Sequence, residues 1–181
     1  MSDARFVTIG HSNRSRDEVI AMLRGARVAM LADVRSFPRS RSNPAFNIDS
    51  FPAALAEAGI GYRHIAALGG RRGRQAGVDP AVNALWRERG FHNYADYALG
   101  PEFAAGLAEL AALAEEGRVA LMCSEAVWWR CHRRIITDHL LLAGEPVAHL
   151  MAPGRTSPAR VTPGAVAGPG GRVTYPAAPA A

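Results

Sequence analysis

Residues 119–142 read VALMCSEAVWWRCHRRIITDHLLL, a stretch in which a strand pattern is followed by a helix pattern. Val119 to Met122 is a continuous apolar run, and Ile135 to Leu142 has the spacing of an amphipathic helix. Both cysteines, a glutamate, a histidine and three arginines lie within residues 121–134, around the junction of the two patterns. Ligands of α/β proteins bind at such junctions. The stretch therefore predicts an α/β fold and a site within it.

Four further segments have strand patterns, which predicts a sheet of about five strands. They are Phe6 to Ile9, Val28 to Val34, Ile60 to Ile65 and Pro146 to Leu150. Helix patterns alternate with them, beginning at a capping box at Ser15, at Asp49 or Ser50, and at Pro101. Alternating strands and helices imply parallel strands joined by right-handed crossovers. We expect a single α/β domain with a mostly parallel sheet flanked by helices, in a Rossmann-like three-layer arrangement.

Two regions lack such clear patterns. Leu68 to Gly77 is rich in glycine and arginine, and only Val82 to Arg89 and Asn93 to Leu99 then suggest short helices. Loops of this length are uncommon unless they are functional, so we expect this segment to be a long, mobile, functional loop. Residues 153–181 are rich in proline, glycine and alanine, with a loose hairpin expected around Gly168 to Gly171. We expect the domain to span residues 1–152 and this tail to be dispensable.

Composition narrows the class of protein only partly. The 181 residues contain no apolar run long enough for a membrane span and no signal-peptide pattern, so a cytoplasmic protein without membrane contact is expected. The net charge of +5 favours an anionic partner. All 21 basic residues are arginine, which a GC-rich coding bias also produces. Composition alone is therefore weak evidence for nucleic-acid binding, which the positions of the arginines indicate better.

The predicted topology brings distant polar residues to one edge of the sheet. In a parallel sheet the carboxyl ends of all strands lie together. The residues expected to converge there are His11, Ser12, Asp33, Arg35, Gly69, Gly70, Cys123 and Glu125. This convergence predicts a pocket that binds a ligand.

The two cysteines leave three interpretations open. Cys131 and His132 are expected in the first turn of the last large helix, where free N–H groups favour a thiolate or a bound anion. Cys123 should face them from a strand end, and Arg130, Arg133, His132 or His11 could activate a nucleophilic thiol. Alternatively the thiols position an anionic substrate, or they are small apolar core residues.

Metal and disulfide chemistry fit the spacing less well. The two cysteines do not form a CxxC motif, and neighbouring helical side chains such as Cys131 and His132 point about 100° apart. No cofactor is predicted and a metal site is not favoured, whereas a redox disulfide between Cys123 and Cys131 stays an alternative.

The remaining candidate residues also have structural interpretations. Asp33 and Arg35 share one face of a strand end, where they form either a proton acceptor beside an anion clamp or a self-satisfied ion pair. His11 is a candidate base or a structural histidine. Gly69 and Gly70, followed by three arginines within the next four residues, suit phosphate contact or a solvated loop.

Several short motifs together resemble one known family. They are Thr8 to Ser12, Asp33 to Pro38, Ser42 to Pro44 with Phe46, Tyr62 with Leu68 to Gly70, Tyr94 with Tyr97, and Cys123 to Glu125 with Cys131 to Arg133. In this order they are similar to the bacterial and archaeal family called domain of unknown function 488, over roughly residues 6 to 151. Ala126 to Arg130 stands where many members have an acidic residue and a proline.

The resemblance implies a compact α/β fold with these motifs in one pocket, and it implies no settled reaction or cofactor. Some relatives have DNA-repair labels. The predicted convergence of Arg35, Arg133, the Gly69-Gly70 loop and a helix N-terminus leads us to expect a small enzyme, a hydrolase or transferase, that binds a phosphorylated or nucleotide-like ligand. Its candidate catalytic residues are Cys123, Glu125, Asp33, His11 and Cys131. Its candidate binding residues are Ser12, Arg35, Gly69, Gly70, His132, Arg133 and Tyr94.

Two other classes of function stay open. Arginines on predicted loops favour a nucleic-acid-binding accessory protein, and these are Arg39, Arg41, Arg71, Arg72 and Arg74. The cysteine pair favours a thiol redox or metal-binding protein. The sequence does not determine the oligomeric state.

Overall fold

A six-stranded sheet organises residues 3–180, the part of the chain described by this computed structural model. Its strands are β1 (Phe6–Gly10), β2 (Met30–Asp33), β3 (Gly61–His64), β4 (Val119–Cys123), β5 (Val147–Ala152) and β6 (Arg155–Pro158). Their spatial order is β3-β2-β4-β1-β5-β6. Strands β1 to β5 are parallel, and β6 pairs antiparallel with β5. The predicted α/β fold with a mostly parallel sheet is confirmed.

Five helices connect the strands. They are α1 (Arg16–Gly25), α2 (Phe51–Glu57), α3 (Arg89–Tyr97), α4 (Pro101–Leu113) and α5 (Arg133–Leu142). The capping box predicted for the first helix is present, since the Ser15 hydroxyl accepts a hydrogen bond from the Glu18 N–H at 3.1 Å. Single helical turns occur at Pro44–Phe46, Ala66–Leu68, Trp128–Arg130 and Pro169–Gly171.

The helices cover both faces of the sheet. Alternate residues of each strand point to opposite faces, so Val119 and Leu121 of β4 pack in one hydrophobic cluster while Ala120 and Met122 pack in the other. The first cluster includes buried residues of α3, α4 and α5, and the second includes those of α1 and α2. The result is a three-layer arrangement, as expected.

The structure corrects the helices expected before Pro101. Residues 82–88 form turns and extended backbone, so the helix expected over Val82 to Arg89 is absent. Helix α3 instead begins at Arg89, four residues before the expected start at Asn93. The Glu88 carboxylate caps it by accepting the N–H groups of Gly90 and Phe91. Glutamate is not a favoured cap residue, and the local sequence therefore hides this start.

The segment beyond residue 153 packs on the domain, which the sequence did not indicate. Strand β6 extends the main sheet, and a small hairpin joins β7 (Val166–Ala167) to β8 (Val173–Thr174). This is the hairpin expected around Gly168 to Gly171. Val173 and Tyr175 are completely buried in the same cluster as α3, α4 and α5. Two side chains of the tail therefore belong to the core. The expected dispensability of the tail and the domain boundary at residue 152 stay predictions.

Within residues 3–180, no helix is long and apolar enough to cross a membrane.

Candidate functional site

A cavity of about 950 Å³ opens at the carboxyl edge of the sheet. Most of the candidate site residues line it, and these are His11, Ser12, Arg35, Gly70, Tyr94, Cys123, Glu125, Cys131 and His132. Asp33, Gly69 and Arg133 do not line the cavity; Asp33 and Arg133 are buried behind its wall. Parallel topology thus assembles the site from residues far apart in sequence.

Two glycines allow the loops of the site to approach each other closely. The backbone after β4 crosses the end of β1, where the N–H groups of His11 and Ser12 donate to the carbonyls of Cys123 and Ser124 at 3.0 Å. A Cβ on Gly10 would lie 1.8 Å from the Glu125 carbonyl oxygen. A Cβ on Gly70 would lie 2.4 Å from His132 Nδ1. Close packing therefore explains these glycines without a phosphate.

The two cysteine sulfurs form the floor of the cavity. Cys123 ends β4, and its Sγ lies 2.7 Å from Cys131 Sγ, with both thiols free and buried. Cys131 and His132 were expected inside the last helix, but α5 begins at Arg133. His132 is its N-cap and Cys131 precedes it. The first helical N–H group still reaches the thiol, because the backbone N–H of Arg133 donates to Cys131 Sγ at 3.4 Å.

The surroundings of the two thiols favour opposite protonation states. Burial opposes ionisation of Cys131, but the hydrogen bond with Cys123 and the charges of His132 and Arg133 outweigh it and hold the Cys131 pKa well below its usual value. Burial, together with the neighbouring Cys131 sulfur, raises the pKa of Cys123 well above its usual value. These surroundings favour Cys131 as the thiolate of the pair and Cys123 as the thiol that keeps its proton.

Arg133 supplies the positive charge behind the thiolate. Its side chain is 1% exposed, and its Nε donates to Cys131 Sγ at 3.4 Å. Its Nη2 donates to the Glu125 carbonyl at 2.5 Å and its Nη1 to the Thr8 hydroxyl at 3.4 Å. In the described part of the chain, no carboxylate forms an ion pair with it. A buried cation needs a counter-charge, and the Cys131 thiolate is the anion that this site offers.

His132 is oriented to exchange a proton with Cys131. Its Nε2 lies 2.7 Å from the Val34 carbonyl oxygen, which can only accept, so we assign the ring hydrogen to Nε2. Nδ1 then faces Cys131 Sγ at 3.5 Å and is the ring nitrogen that gains or loses a proton there. The Tyr94 ring packs against the imidazole edge to face at 5.2 Å and restricts its rotation. This geometry suits a thiolate–imidazolium pair.

A second histidine, His11, lies at the end of β1 with an acceptor nitrogen beside Arg35. Its Nδ1 lies 3.0 Å from the Ser12 carbonyl oxygen and therefore carries the hydrogen, and its ring stacks on Phe46 at 4.4 Å. Burial, followed by the charge of Arg35, lowers its pKa and keeps the imidazole neutral. Nε2 is left as an acceptor, with only Arg35 Nη1 near it at 3.4 Å. Ser12 next to it has a φ of 45°, a strained value for a residue other than glycine.

Asp33 and Arg35 form a self-satisfied pair. Arg35 Nε and Nη2 donate to the two Asp33 oxygens at 2.9 and 2.7 Å, and Arg35 Nη2 also donates to the Phe46 carbonyl. The Tyr62 hydroxyl donates to Asp33 Oδ2 at 2.5 Å. Both carboxylate oxygens are therefore occupied, and Asp33 is buried. This arrangement positions Arg35 beside His11 and leaves Asp33 no free lone pair directed into the cavity.

The mouth of the cavity contains Arg71, one of the arginines considered for phosphate contact, together with Phe37 and Arg130, which we did not single out from the sequence as ligand-binding. Arg71 and Arg130 are exposed, and in residues 3–180 neither forms an ion pair with a carboxylate. The Phe37 side chain is 66% exposed, with the Arg71 guanidinium 5.6 Å above its ring. A phenylalanine in the loop four residues after the end of β2 was the available signal, since loop residues at this edge contact ligands.

The tyrosines of the quoted motifs have structural roles. The Tyr94 hydroxyl donates to the Leu68 carbonyl at 2.8 Å, and the Tyr97 hydroxyl donates to the Ala67 carbonyl at 2.7 Å. These bonds fix the turn that leads to Gly70. Tyr94 was expected to bind ligand, and its ring does line the cavity, although its hydroxyl is already occupied.

Metal ligands do not cluster in the described residues. No group of three or more histidine, cysteine, aspartate or glutamate side chains within residues 3–180 has a geometry that could hold a metal ion. Cys123, Cys131 and His132 lie together, but the thiolate charge is already balanced by Arg133.

The fold and the site define an α/β protein with a polar pocket at the carboxyl edge of a parallel sheet and a paired thiol at its floor. Over residues 15–140 the chain matches the family described as "Domain of unknown function DUF488". The chain belongs to this family, as the resemblance of its motifs indicated. No curated protein and no solved structure shows a significant match to it.

A buried histidine behind the site should make stability depend on pH. His149 Nδ1 lies 2.7 Å from the Thr8 hydroxyl, its ring stacks on Trp128 at 4.4 Å, and in the described part of the chain its Nε2 has no hydrogen-bond partner. Burial, followed by the charge of Arg133, lowers its pKa from 6.5 to about 4. Because the unfolded state binds the proton first, stability should fall as the pH drops from 6.5 to 4.

We expect this single histidine to account for about 3 kcal/mol of that loss. Urea unfolding of the wild type and of His149→Phe at several pH values measures it, since phenylalanine preserves the stack on Trp128 without titrating. The wild type should lose more stability than the variant over this range. Parallel curves for the two proteins would contradict the assignment.

Proposed function

We propose that the protein is a thiol-dependent hydrolase or transferase that acts on a phosphorylated or nucleotide-like small molecule. The observation that carries this proposal is the environment of Cys131. Its sulfur has four hydrogen-bonding or charged neighbours, namely Cys123, His132, and the backbone and side chain of Arg133, and it faces a cavity of about 950 Å³. A sulfur that only filled the core would have apolar neighbours.

Each polar residue has a part in the proposed reaction. The Cys131 sulfur attacks an electrophilic acyl, phosphoryl or glycosyl centre, so that a bond from sulfur to that centre forms as the bond to the leaving group breaks. The leaving group takes a proton from His132. Water, deprotonated by Nε2 of His11, or a second acceptor then attacks the same centre and releases the thiolate. Asp33 and Arg35 act as positioning residues for His11.

The mouth of the cavity supports an anionic ligand with a planar ring. Arg71 and Arg130 offer charge that no carboxylate neutralises in the described part of the chain. Guanidinium groups form charge-assisted hydrogen bonds to phosphate. Phe37 is an exposed ring beside one of them, and a nucleobase stacked on it would bury apolar surface that now contacts water. A phosphate joined to an aromatic base matches both features.

Ligand binding should protect Cys131 from alkylation. We expect millimolar nucleoside mono- or diphosphates to slow its reaction with iodoacetamide and to raise the melting temperature, with ribose 5-phosphate and inorganic phosphate weaker. Phe37→Ala, Arg71→Gln and Arg130→Gln should each weaken binding roughly 10-fold or more, since one stacked base or one charged hydrogen bond contributes about 1–3 kcal/mol.

The matched control is Arg155→Gln, which removes an exposed arginine that does not line the cavity. It should bind like the wild type. If no nucleotide or sugar phosphate protects Cys131, or if the control weakens binding as much as the rim variants, the proposed ligand class is wrong. Short single-stranded oligonucleotides belong in the same assay, and protection by them alone would favour the nucleic-acid alternative.

A further inference from the structure

The two cysteine sulfurs are almost close enough to bond. Cys123 Sγ and Cys131 Sγ lie 2.7 Å apart as free thiols, whereas a disulfide bond is about 2.05 Å long. Cys123 is held by β4, which pairs with β1 through Gly10. Cys131 lies on the segment between the turn at Trp128–Arg130 and the start of α5. A small shift of this segment would bring the sulfurs to bonding distance.

The site also contains the two chemical groups that disulfide formation needs. One sulfur must be a reachable thiolate that attacks an oxidant, and a second thiol must wait beside it to resolve the product. Cys131 lines the cavity and has Arg133 and His132 as its neighbours, so it is the attacking sulfur. Cys123 also lines the cavity, and its Sγ lies 2.7 Å from Cys131 Sγ, so it is placed to resolve the product.

We infer that Cys123 and Cys131 form a reversible disulfide when a hydroperoxide reaches the cavity. The inference rests on the proposed thiolate nucleophile and adds a redox regulation of that same site. The Cys131 thiolate attacks the distal peroxide oxygen and the O–O bond breaks. Cys131 keeps the distal oxygen and becomes a sulfenic acid. The other peroxide oxygen takes a proton and leaves as water or an alcohol. Cys123 then attacks Cys131 sulfur, the S–O bond breaks, and a second water leaves.

The disulfide removes the nucleophile and so stops the proposed reaction. One hydroperoxide is reduced by two electrons and two thiols are oxidised to one disulfide, so the balance closes. A small-molecule dithiol reductant reverses it. Cys123 lies directly beside the sulfenic acid of Cys131 and reacts with it before a second oxidant molecule arrives. The sulfenic acid is therefore protected from further oxidation.

Thiol counting on the full-length wild type tests the inference. Reduced protein, unfolded in denaturant, should show both of its cysteines as free thiols. After one equivalent of hydrogen peroxide the count should fall to none, with the mass lower by two hydrogens and the protein unchanged in oligomeric state. Dithiothreitol should restore both thiols. Two free thiols after this treatment, or a wild-type product with added oxygen in place of the disulfide, would overturn the inference.

Variants identify which sulfur attacks. In Cys123→Ser the Cys131 sulfenic acid cannot be resolved, so dimedone should label it and the mass should rise by one dimedone adduct. In Cys131→Ser the remaining thiol should react with peroxide at least 10-fold more slowly, because only a thiolate attacks readily. Equal rates would overturn the assignment of roles.

The redox inference and the proposed ligand fail separately. Disulfide formation without protection by any nucleotide or sugar phosphate would reject the ligand class and retain the redox pair. Protection of Cys131 by nucleotides, in a protein whose thiols do not react with peroxide, would reject the redox pair and retain the ligand class.

Discussion

Truncation of the chain after Pro153 is expected to leave a protein that does not fold stably. The deletion removes β6 from the edge of the sheet and removes Tyr175 from the core, where its side chain has no exposed surface. The Tyr175 hydroxyl donates to Asp138 Oδ2 at 2.7 Å, and its backbone N–H donates to Asn83 Oδ1 at 2.9 Å. Without the tail, the buried carboxylate of Asp138 on α5 loses a donor that it needs.

Point variants measure the same effect within a folded chain. Tyr175→Ala should cost about 3–5 kcal/mol of unfolding free energy, the usual range for removing a buried aromatic ring. Tyr175→Phe retains the ring and its contact with Trp86, but it leaves Asp138 short of one hydrogen bond, at a cost of about 1–3 kcal/mol. Urea denaturation followed by circular dichroism measures both values.

A shorter truncation is the control. Ending the chain after Pro176 retains Tyr175 and removes residues of which 177–180 are exposed, so stability should hardly change. A soluble, cooperatively folding protein after truncation at Pro153 would show that the tail is dispensable, as its composition suggested.

Arg133→Met is expected to raise the pKa of Cys131 by about 1–3 units, the usual effect of one neighbouring charge. The wild-type thiolate has this buried cation 3.4 Å from its sulfur, and methionine fills a similar volume without charge. At pH values below the wild-type pKa, the rate of alkylation by iodoacetamide should therefore fall about 10- to 1000-fold. Rates measured between pH 5 and 10 show the shift directly.

Two further variants make this result specific. Arg130→Met removes a charge from the same loop but from an exposed position, so solvent screening should leave the Cys131 profile nearly unchanged. Cys131→Ser should abolish the fast alkylation altogether. If Arg133→Met and Arg130→Met gave the same profile, the buried cation would not control the thiol. If Cys131→Ser still reacted rapidly, Cys123 would be the thiolate.

The pattern of apolar residues was sufficient to predict the fold and the position of the candidate site in it. Short apolar runs such as Val119 to Met122, alternating with helix patterns, leave few topologies other than a parallel sheet covered on both faces. That topology places every strand end at one edge, so the gathering of His11, Arg35 and Cys123 followed without knowledge of any contact. These conclusions depend on local periodicity, which a single sequence contains.

Local periodicity does not predict contacts between side chains that lie far apart in the chain. Contacts of this kind are those of Asp33, whose oxygens accept from Arg35 and Tyr62, and of Gly70, where a Cβ would collide with His132. The protonation of the cysteines depends on the orientation of Arg133, which no spacing indicates.

The sequence by itself determined a three-layer α/β domain with polar residues converging at the carboxyl edge, because the 2-residue and 3.6-residue periods of buried side chains are local properties. The tertiary structure alone decided which thiol has a buried cation beside it and that the proline-rich tail belongs to the core. Both depend on burial beside particular partners, such as Arg133 behind Cys131 and Asp138 beneath Tyr175. The free energy of a buried charge or hydroxyl is set by its nearest neighbours in space.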